Sequence, residues 1–543
     1  MTEKYDPAIV DAFLAHHWTY RPVDATFMGD QAHDSKLPPA HSQTLKEELA
    51  GIAALEKRLG NMTEPKELGD RLDYRLMRSE LAIQKAAATS RPRLANPAWY
   101  SGEAAFSIIS LLLPQSLPIR NDALLARMNG IADFLSAATD RLAKNPTPAG
   151  WVKRAQKEAV AMAGFLRSDL KLHEAYGEDW DEPAEAAAVA FDQFAERIGA
   201  LPDADPACGE EYLTLLLSQV HGLKISPRDA VELAQAAFDR MSKELVEMGK
   251  ILDPDKSWQD QLAALSATHP ATVDETFDSY TLWDVRALVD GAELLDPTPA
   301  QEYDLDYRWM APCFERISQS LYFLFYRSPP ALNPGIGSVY WVNPPGEDEE
   351  AFLRANNTAT VKTIHSVHHG SVGHHSQNAR ARVAESRLAR IAGTDCALGL
   401  AFLGSGTLIE GWACYVEDLL MEAHGFYTPT EIMLLKQYER RNAASVLVDV
   451  KLHLGDWSLE EAMAFYRDQA GFAPARVEGE VVRNSMLPGS RMMYWFGVEG
   501  IKALRKRWAD DDVGAFHDTL LSYGHVPLAW VAEEMERAGL LNP

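Results

Sequence analysis

His365-Ser-Val-His-His-Gly-Ser-Val-Gly-His-His375 places five histidines in one short run. The whole chain of 543 residues holds 16, so this is a concentration rather than a chance spread. Neutral imidazole is the commonest transition-metal ligand and also carries protons near neutral pH. Beyond His375 comes Thr407-Leu-Ile-Glu410-Gly-Trp-Ala-Cys-Tyr-Val-Glu417, whose Glu410, thirty-five residues on, offers a carboxylate to the same centre. A histidine-bearing helix followed by a helix that donates Glu is the plan of one class of zinc hydrolases. The rest of the chain reads as scaffold for that pair.

Spacing alone leaves the cluster open. His365 and His369 are four apart and share a helical face, but Ser366 stands where HExxH has its base. His368 and His374 are six apart, about 240° round a regular helix and roughly 9 Å along it. They meet at one metal only if the helix breaks between them, and Gly370 and Gly373 allow such a break. The bland alternative is a histidine cluster with no metal. Glu410 likewise has two readings, as a ligand or as the Glu of a capping box with Thr407. An apolar stripe at Leu408, Trp412, Tyr415, Val416 and Leu419 leaves Glu410, Cys414 and Glu417 on another face of their helix.

Outward from this centre the text is helical. Ala/Leu/Glu/Arg segments separated by Pro or Gly run from Asp6 to about Leu170. Thr44-Leu-Lys-Glu47 has capping-box spacing, and Phe106–Leu113, stopped by Pro114, predicts a buried helix. Ser226-Pro-Arg-Asp229 opens another helix with Pro at its first position. Pro254 to Thr281 reads as a connector plus a short helix. The best strand, at residues 335–343, lies between turn residues. The expectation is a mainly α fold with one small β element. An N-terminal helical lobe would span 1–270 and a metal-site lobe 271–543, the two forming one continuous fold.

The chain is 47% hydrophobic, enough for a large core. Its formal net charge of −26 argues against nucleic acid and anionic membranes as partners. No run of about 20 apolar residues predicts a membrane span. Met1-Thr-Glu-Lys-Tyr-Asp6 lacks the basic and apolar regions of a signal peptide. Cys208, Cys313, Cys396 and Cys414 are widely spaced without CxxC, as in a reduced compartment. The expected location is the cytoplasm.

His368-His-Gly-Ser-Val-Gly-His-His-Ser-Gln377 resembles the H-E-x-x-P-G-H-H-x-Q block of a bacterial family known as domain of unknown function 885, whose members are treated as gluzincin-like zinc peptidases or hydrolases. Glu410-Gly-Trp-Ala-Cys-Tyr-Val-Glu417 matches its E-G-W-A-x-Y-x-E block. Further matches are Asp24-Ala-Thr-Phe-Met-Gly29, the helix through Arg440, Arg441, Asp449 and His453, Pro488-Gly-Ser-Arg-Met-Met-Tyr494, and Phe516–Leu528. The resemblance implies a mainly helical, gluzincin-like body with a deep central channel. It implies Zn²⁺ held by His368, His374 and Glu410; two histidines and a carboxylate are also ligand types for Fe²⁺ or Mn²⁺, which are the alternative divalent metals. His375 and His365 are the alternative ligands.

The sequence departs from the family at one telling place. The family Glu beside the first histidine, expected to be the general base, is His369 here. The expected function is therefore a metal-dependent enzyme acting on a small, anionic amide or amino-acid-like substrate or short peptide. His369 would be its proton acceptor, and the reaction hydrolysis or elimination. The alternative is an inactive metallopeptidase-like binding protein. Tyr494 matches a family tyrosine that would stabilise an oxyanion. Arg483 and Arg491 would grip an anionic group, and Tyr340 would line the substrate channel; surface or core packing is the competing reading for each. Asp449 and His453, one helical turn apart, read equally as a pair supporting the site or as a buried structural pair. Arg380, Arg382, Arg387 and Arg390 read as a solvated helix face.

Overall fold

The computed structural model of the chain describes residues 3–114, 118–296, 304–321, 326–333, 337–391 and 406–543. Helices dominate, as expected, and only three short strands accompany them among these residues. The chain divides into two compact units. The first comprises Met1–Cys208, Trp309–Gly337 and Ser386–Leu403, and the second Gly209–Arg308, Ser338–Glu385 and Gly404–Pro543. Residue 270, where the sequence suggested a lobe boundary, falls inside the second unit.

The first unit is organised around helix α1, Pro97–Leu112. Asn96 caps it by accepting the Ala98 N–H at 2.9 Å, and Pro97 occupies its first position. Every residue of α1 is buried, so its polar side chains need partners. Ser101 donates to Glu158 at 2.5 Å and Ser107 to the Ala104 carbonyl at 2.7 Å. Arg127, itself fully buried, donates to the Ser107 carbonyl, Ser110 Oγ and Thr26 Oγ1. Thr26 in turn donates to Asp34 at 2.8 Å. The Asp24–Gly29 segment is thus a structural joint in this unit. It ends at Gly29, whose φ of 90° suits glycine. The capping box expected at Thr44 is absent, because the helix Thr44–Asn61 begins one residue earlier and Gln43 is its cap.

The second unit carries every residue proposed for the site. The helix expected at Ser226 is Pro227–Leu252, with Pro227 at its first position, and Ser226 and Asp229 close a capping box on it. The stretch read as a connector plus a short helix, 254–281, holds the short helix Trp258–Ala264 and then the start of a longer one, α2, Val273–Asp290. Strand β1, Leu305–Trp309, lies beside β3, Ser338–Val342; β1 was not foreseen, nor was the two-residue β2, Tyr326–Arg327, of the first unit. β3 occupies part of the predicted 335–343 stretch; residues 335 and 336 lie outside the described residues, as does Cys396. Beyond it come α3 (His374–Ala381), α4 (Gly406–Leu419), α5 (Pro429–His453), α6 (Met492–Arg507) and α7 (Val513–Ser522).

Helices α4 and α6 cross at backbone contact. A Cβ on Gly411 would stand 2.6 Å from Gly497 Cα, a distance no side chain tolerates. Two glycines facing one another therefore fix how closely the Glu410 helix seats on its neighbour. No described helix is long and apolar enough to cross a membrane.

Candidate metal centre

The histidine run does not form one helix. Val361–His368 is wound as a π-helix, the chain then turns through residues 369–373, and α3 begins at His374. π-turns are rare and concentrate at functional sites. This one is held by a buried ion pair, Lys362 Nζ to Glu431 Oε2 at 2.9 Å, with the Trp283 ring 4.5 Å from the ammonium. Glu431 also closes the capping box of α5 with Thr428.

The turn is fixed from two sides. Both oxygens of Asp284 on α2 accept from Ser371, from its N–H and its hydroxyl, each at 2.6 Å. Trp412 Nε1 on α4 donates to the carbonyls of Val372 and Gly373 at 3.1 and 3.2 Å. Both glycines are required by close approach. A Cβ on Gly370 would collide with the Ser366 carbonyl and Asp284, and one on Gly373 with the carbonyls of His368 and Val367.

The outcome is convergence. His368 Nε2 lies 3.5 Å and His374 Nε2 3.6 Å from Glu410 Oε2. Ligands at 2.0–2.2 Å around a tetrahedral zinc stand roughly 3.3–3.6 Å apart, so each of the two imidazole nitrogens stands at about that spacing from the carboxylate oxygen. Glu410 Oε2 is buried without a hydrogen-bond partner, and two imidazoles with a carboxylate suit Zn²⁺, Fe²⁺ or Mn²⁺. Glu410 does not cap its helix with Thr407, whose Oγ1 instead accepts the Leu528 N–H at 3.2 Å.

Glu417 is the addition that sequence reasoning left without a role. It stands two helical turns after Glu410 on the same face of α4, so the pair brackets the His368 ring. His368 Nδ1 donates to Glu417 Oε1 at 2.6 Å, which aims Nε2 at Glu410. The signal was the i, i+7 spacing of two carboxylates on the face left by the apolar stripe. Burial alone would lower the His368 pKa, but Cys414, Glu410 and Glu417 outweigh it and hold it well above 6.5. Burial likewise pushes Glu410 upward, yet His368 and His374 pull it well below 4.5. His374 is lowered by burial, with Glu410 opposing.

His369 joins the group: its ring and those of His368 and His374 each offer a nitrogen within 4.8 Å of the others. Its Nδ1–H donates to the Ile364 carbonyl at 2.7 Å, so Nε2 carries the lone pair. Burial first, then the charges of His368 and His374, hold its pKa well below 6.5. His375 and His365, the alternative ligands, are engaged elsewhere. His375 Nδ1 is bonded to Ser338 Oγ on β3 at 2.8 Å, because consecutive residues on α3 point about 100° apart. His365 Nδ1 is bonded to the Tyr340 hydroxyl at 2.5 Å and its ring stacks on Tyr280.

The other expected site residues divide. Tyr340 is buried, supporting His365 through its hydroxyl, with its ring centroid 5.7 Å from that of His369. Arg491 is buried and committed to Asn484 and, at 3.0 Å, to Glu480, so its guanidinium is a structural tie rather than a substrate grip. Arg483 is half-buried near Glu480. Tyr494 is half-buried in the first turn of α6. Asp449 accepts the N–H groups of Gly489 and Arg491 at 2.9 and 2.8 Å, and His453 is bonded to the Asn484 carbonyl, which makes them a structural pair. Arg380 pairs with Asp518 and Arg387 with Asp11, whereas Arg382 is half-buried rather than solvated.

These features define a mainly helical protein with a buried histidine–carboxylate group at a π-helix. Residues 22–535 match the family model described as "Bacterial protein of unknown function (DUF885)", and the chain belongs to that family. A solved protein from Shewanella oneidensis, provisionally described as a lipoprotein of unknown function, is 18% identical with a TM-score of 0.77, over 97% of this chain and 99% of that one. Another, from Colwellia psychrerythraea and also provisionally described as a lipoprotein, is 16% identical with a TM-score of 0.75, over 98% of each chain. At these identities the likeness is one of fold. No curated protein matches the chain.

Proposed function

We propose that the chain is a metal-dependent enzyme of gluzincin-like type, acting in a central channel on a small amide or amino-acid-like substrate. His368, His374 and Glu410 would hold one divalent transition metal, zinc before Fe²⁺ or Mn²⁺. The observation that carries this reading is the buried Oε2 of Glu410, without a hydrogen bond, facing two imidazole nitrogens at 3.5 and 3.6 Å. A divalent metal there supplies Lewis-acid polarisation of a substrate carbonyl or water. Glu417 orients His368. His369, neutral and with Nε2 turned from its Ile364 bond, takes the proton that the family Glu would take. Tyr494 belongs to the same reading as a donor to developing negative charge.

A second reading has an observation of its own. His369 shares the 4.8 Å group with His368 and His374. As a further ligand it would fill the coordination sphere, as expected of a binding protein without turnover. Elemental analysis of Glu410→Gln and His369→Ala, beside turnover on a panel of N-acylated amino acids and dipeptides, separates the two. Glu410→Gln should lose its metal; full retention refutes the centre. His369→Ala should keep metal and lose about 10²–10⁴-fold in turnover, and loss of metal instead favours the second reading.

A cytoplasmic location is also a proposal, in keeping with the thiol state of Cys208, Cys313 and Cys414. The lipoprotein descriptions of the two structural neighbours point instead to the cell envelope. Cell fractionation decides between them.

A further inference from the structure

Cys414 has no role in the reading above, yet it stands between the two carboxylates that bracket His368. Glu410, Cys414 and Glu417 fall at i, i+4 and i+7 on α4 and so share one helical face. Cys414 is a buried free thiol, and Asn442 Nδ2 on α5 donates to its sulfur at 3.7 Å. A ring nitrogen of His368, the Cys414 sulfur and a Glu417 oxygen all lie within 4.8 Å of one another, and each of the three residues is buried. This group shares only His368 with the one that His374 and Glu410 complete.

The two groups meet opposite edges of a single ring. Nε2 faces Glu410 at 3.5 Å, and Nδ1 faces Glu417 at 2.6 Å. A neutral imidazole has one lone pair and one N–H. An ion on Nε2 therefore leaves the proton on Nδ1, where Glu417 accepts it. An ion on Nδ1 leaves the proton on Nε2, directed at Glu410, and frees Glu417 to become a ligand. The ring serves one ion at a time.

Donor chemistry separates the two positions. Thiolate is a soft donor and favours soft ions, whereas two imidazoles and a carboxylate also suit Fe²⁺ and Mn²⁺. Burial admits the sulfur set, because a thiolate, a carboxylate and a neutral imidazole together cancel the charge of a dication. Accepting an ion there opens the 2.6 Å approach of Nδ1 to Glu417 to roughly 3.3–3.6 Å, a shift of about 1 Å or less. Zinc, borderline in softness, takes the group whose nitrogens already face Glu410 at ligand spacing. A softer ion such as Cd²⁺ gains enough from thiolate to open the other.

We infer that Cys414, Glu417 and Nδ1 of His368 form a second metal position, for a thiophilic divalent ion, and that its occupation excludes an ion from the first. Binding forms nitrogen–metal and sulfur–metal bonds, and the Nδ1 and thiol protons leave to solvent. His368 is then withdrawn from Glu410 and His374, so a thiophilic ion silences the centre proposed above. That consequence rests on the metal-dependent reading; the binding does not.

Cadmium titration of the chelator-treated full chain tests it, read by the ultraviolet charge-transfer absorbance of a cadmium–thiolate bond. One equivalent should bring up the band. Cys414→Ala should abolish it, as should Cys414→Ser, which keeps the size of the side chain; melts of both metal-free variants control for folding. Glu417→Gln should weaken cadmium binding by about 10-fold or more, since ligand charge sets affinity. Glu410→Gln, which dismantles only the first group, should keep the band at wild-type strength. No band in wild type, or an unchanged band in the Cys414 variants, overturns the position. Loss of the band in Glu410→Gln also overturns it, because one mixed group would then hold the ion. Cadmium added to zinc-loaded protein should release one zinc as the band rises, and a band that rises with zinc retained overturns the exclusion. Failure of the first group would show in zinc content and not in the cadmium band, so the two readings fail separately.

Discussion

Replacing Glu417 probes the proposed centre without removing any of its proposed ligands. Its carboxylate accepts from His368 Nδ1 at 2.6 Å in a buried setting, while the other face of the ring meets Glu410. Partners of this kind fix the tautomer and raise the basicity of a ligating imidazole, and their loss costs about 10–100-fold in metal affinity. At about 1.36 kcal/mol per decade this is roughly 1.4–2.7 kcal/mol. Glu417→Gln keeps an acceptor oxygen but loses the charge, so the lower end of that range is expected. Glu417→Leu removes the acceptor and strands a buried N–H, so the upper end is expected, with about 1–3 kcal/mol of stability lost besides. Zinc affinity is read by competition with a chromogenic chelator, and thermal melts of the metal-free forms control for folding. If both variants bind zinc as tightly as wild type, the orienting role is refuted. If Gln loses more than Leu, the ranking by acceptor loss is wrong.

Three further outcomes follow from the same geometry. The folded pKa of His368 is raised above 6.5, so its contribution to metal-free stability is present below pH 6.5 and lost as pH rises through the raised value. A metal must displace that proton, so affinity should climb by up to about tenfold per pH unit below that value; a flat chelator competition from pH 6 to 8 argues against it. Gly373→Ala should strip the metal and destabilise by about 1–3 kcal/mol, since its Cβ meets the backbone carbonyls of His368 and Val367; unchanged melts and metal content would show that the turn yields. Asp449→Ala should cost roughly 2–6 kcal/mol by leaving two buried N–H groups unpaired. Burial raises the Asp449 pKa to about 7, so the gap from wild type in chemical denaturation should be widest below pH 3.8 and narrow as pH rises through 7.

Much of this arrangement was legible in the residues, and the rest was hidden for identifiable reasons. The six-residue gap from His368 to His374 demanded a broken helix, and the two glycines marked the break. Period and composition cannot announce a π-helix, because its extra residue per turn is stabilised by tertiary ties such as Lys362–Glu431. The choice between His374 and His375 turned on where α3 begins, a matter of one residue. An arginine just after Pro488-Gly489-Ser490 carries no sign of burial in the sequence; the partners of Arg491 lie on the preceding helix, at Glu480 and Asn484. Gln377 and His525 stood inside quoted motifs, but their burial is visible only in three dimensions.

The meeting of Gly411 with Gly497 has a consequence for how such a protein can diversify. Where two helices touch through side chains, their spacing drifts as residues change size. Here the stop is main chain against main chain, three residues before Cys414 and one after Glu410. Exposed residues on α4 and α6 can vary in bulk and polarity while the Glu410 carboxylate keeps its position. What the surrounding walls admit can change by small steps, each leaving the chemistry in register.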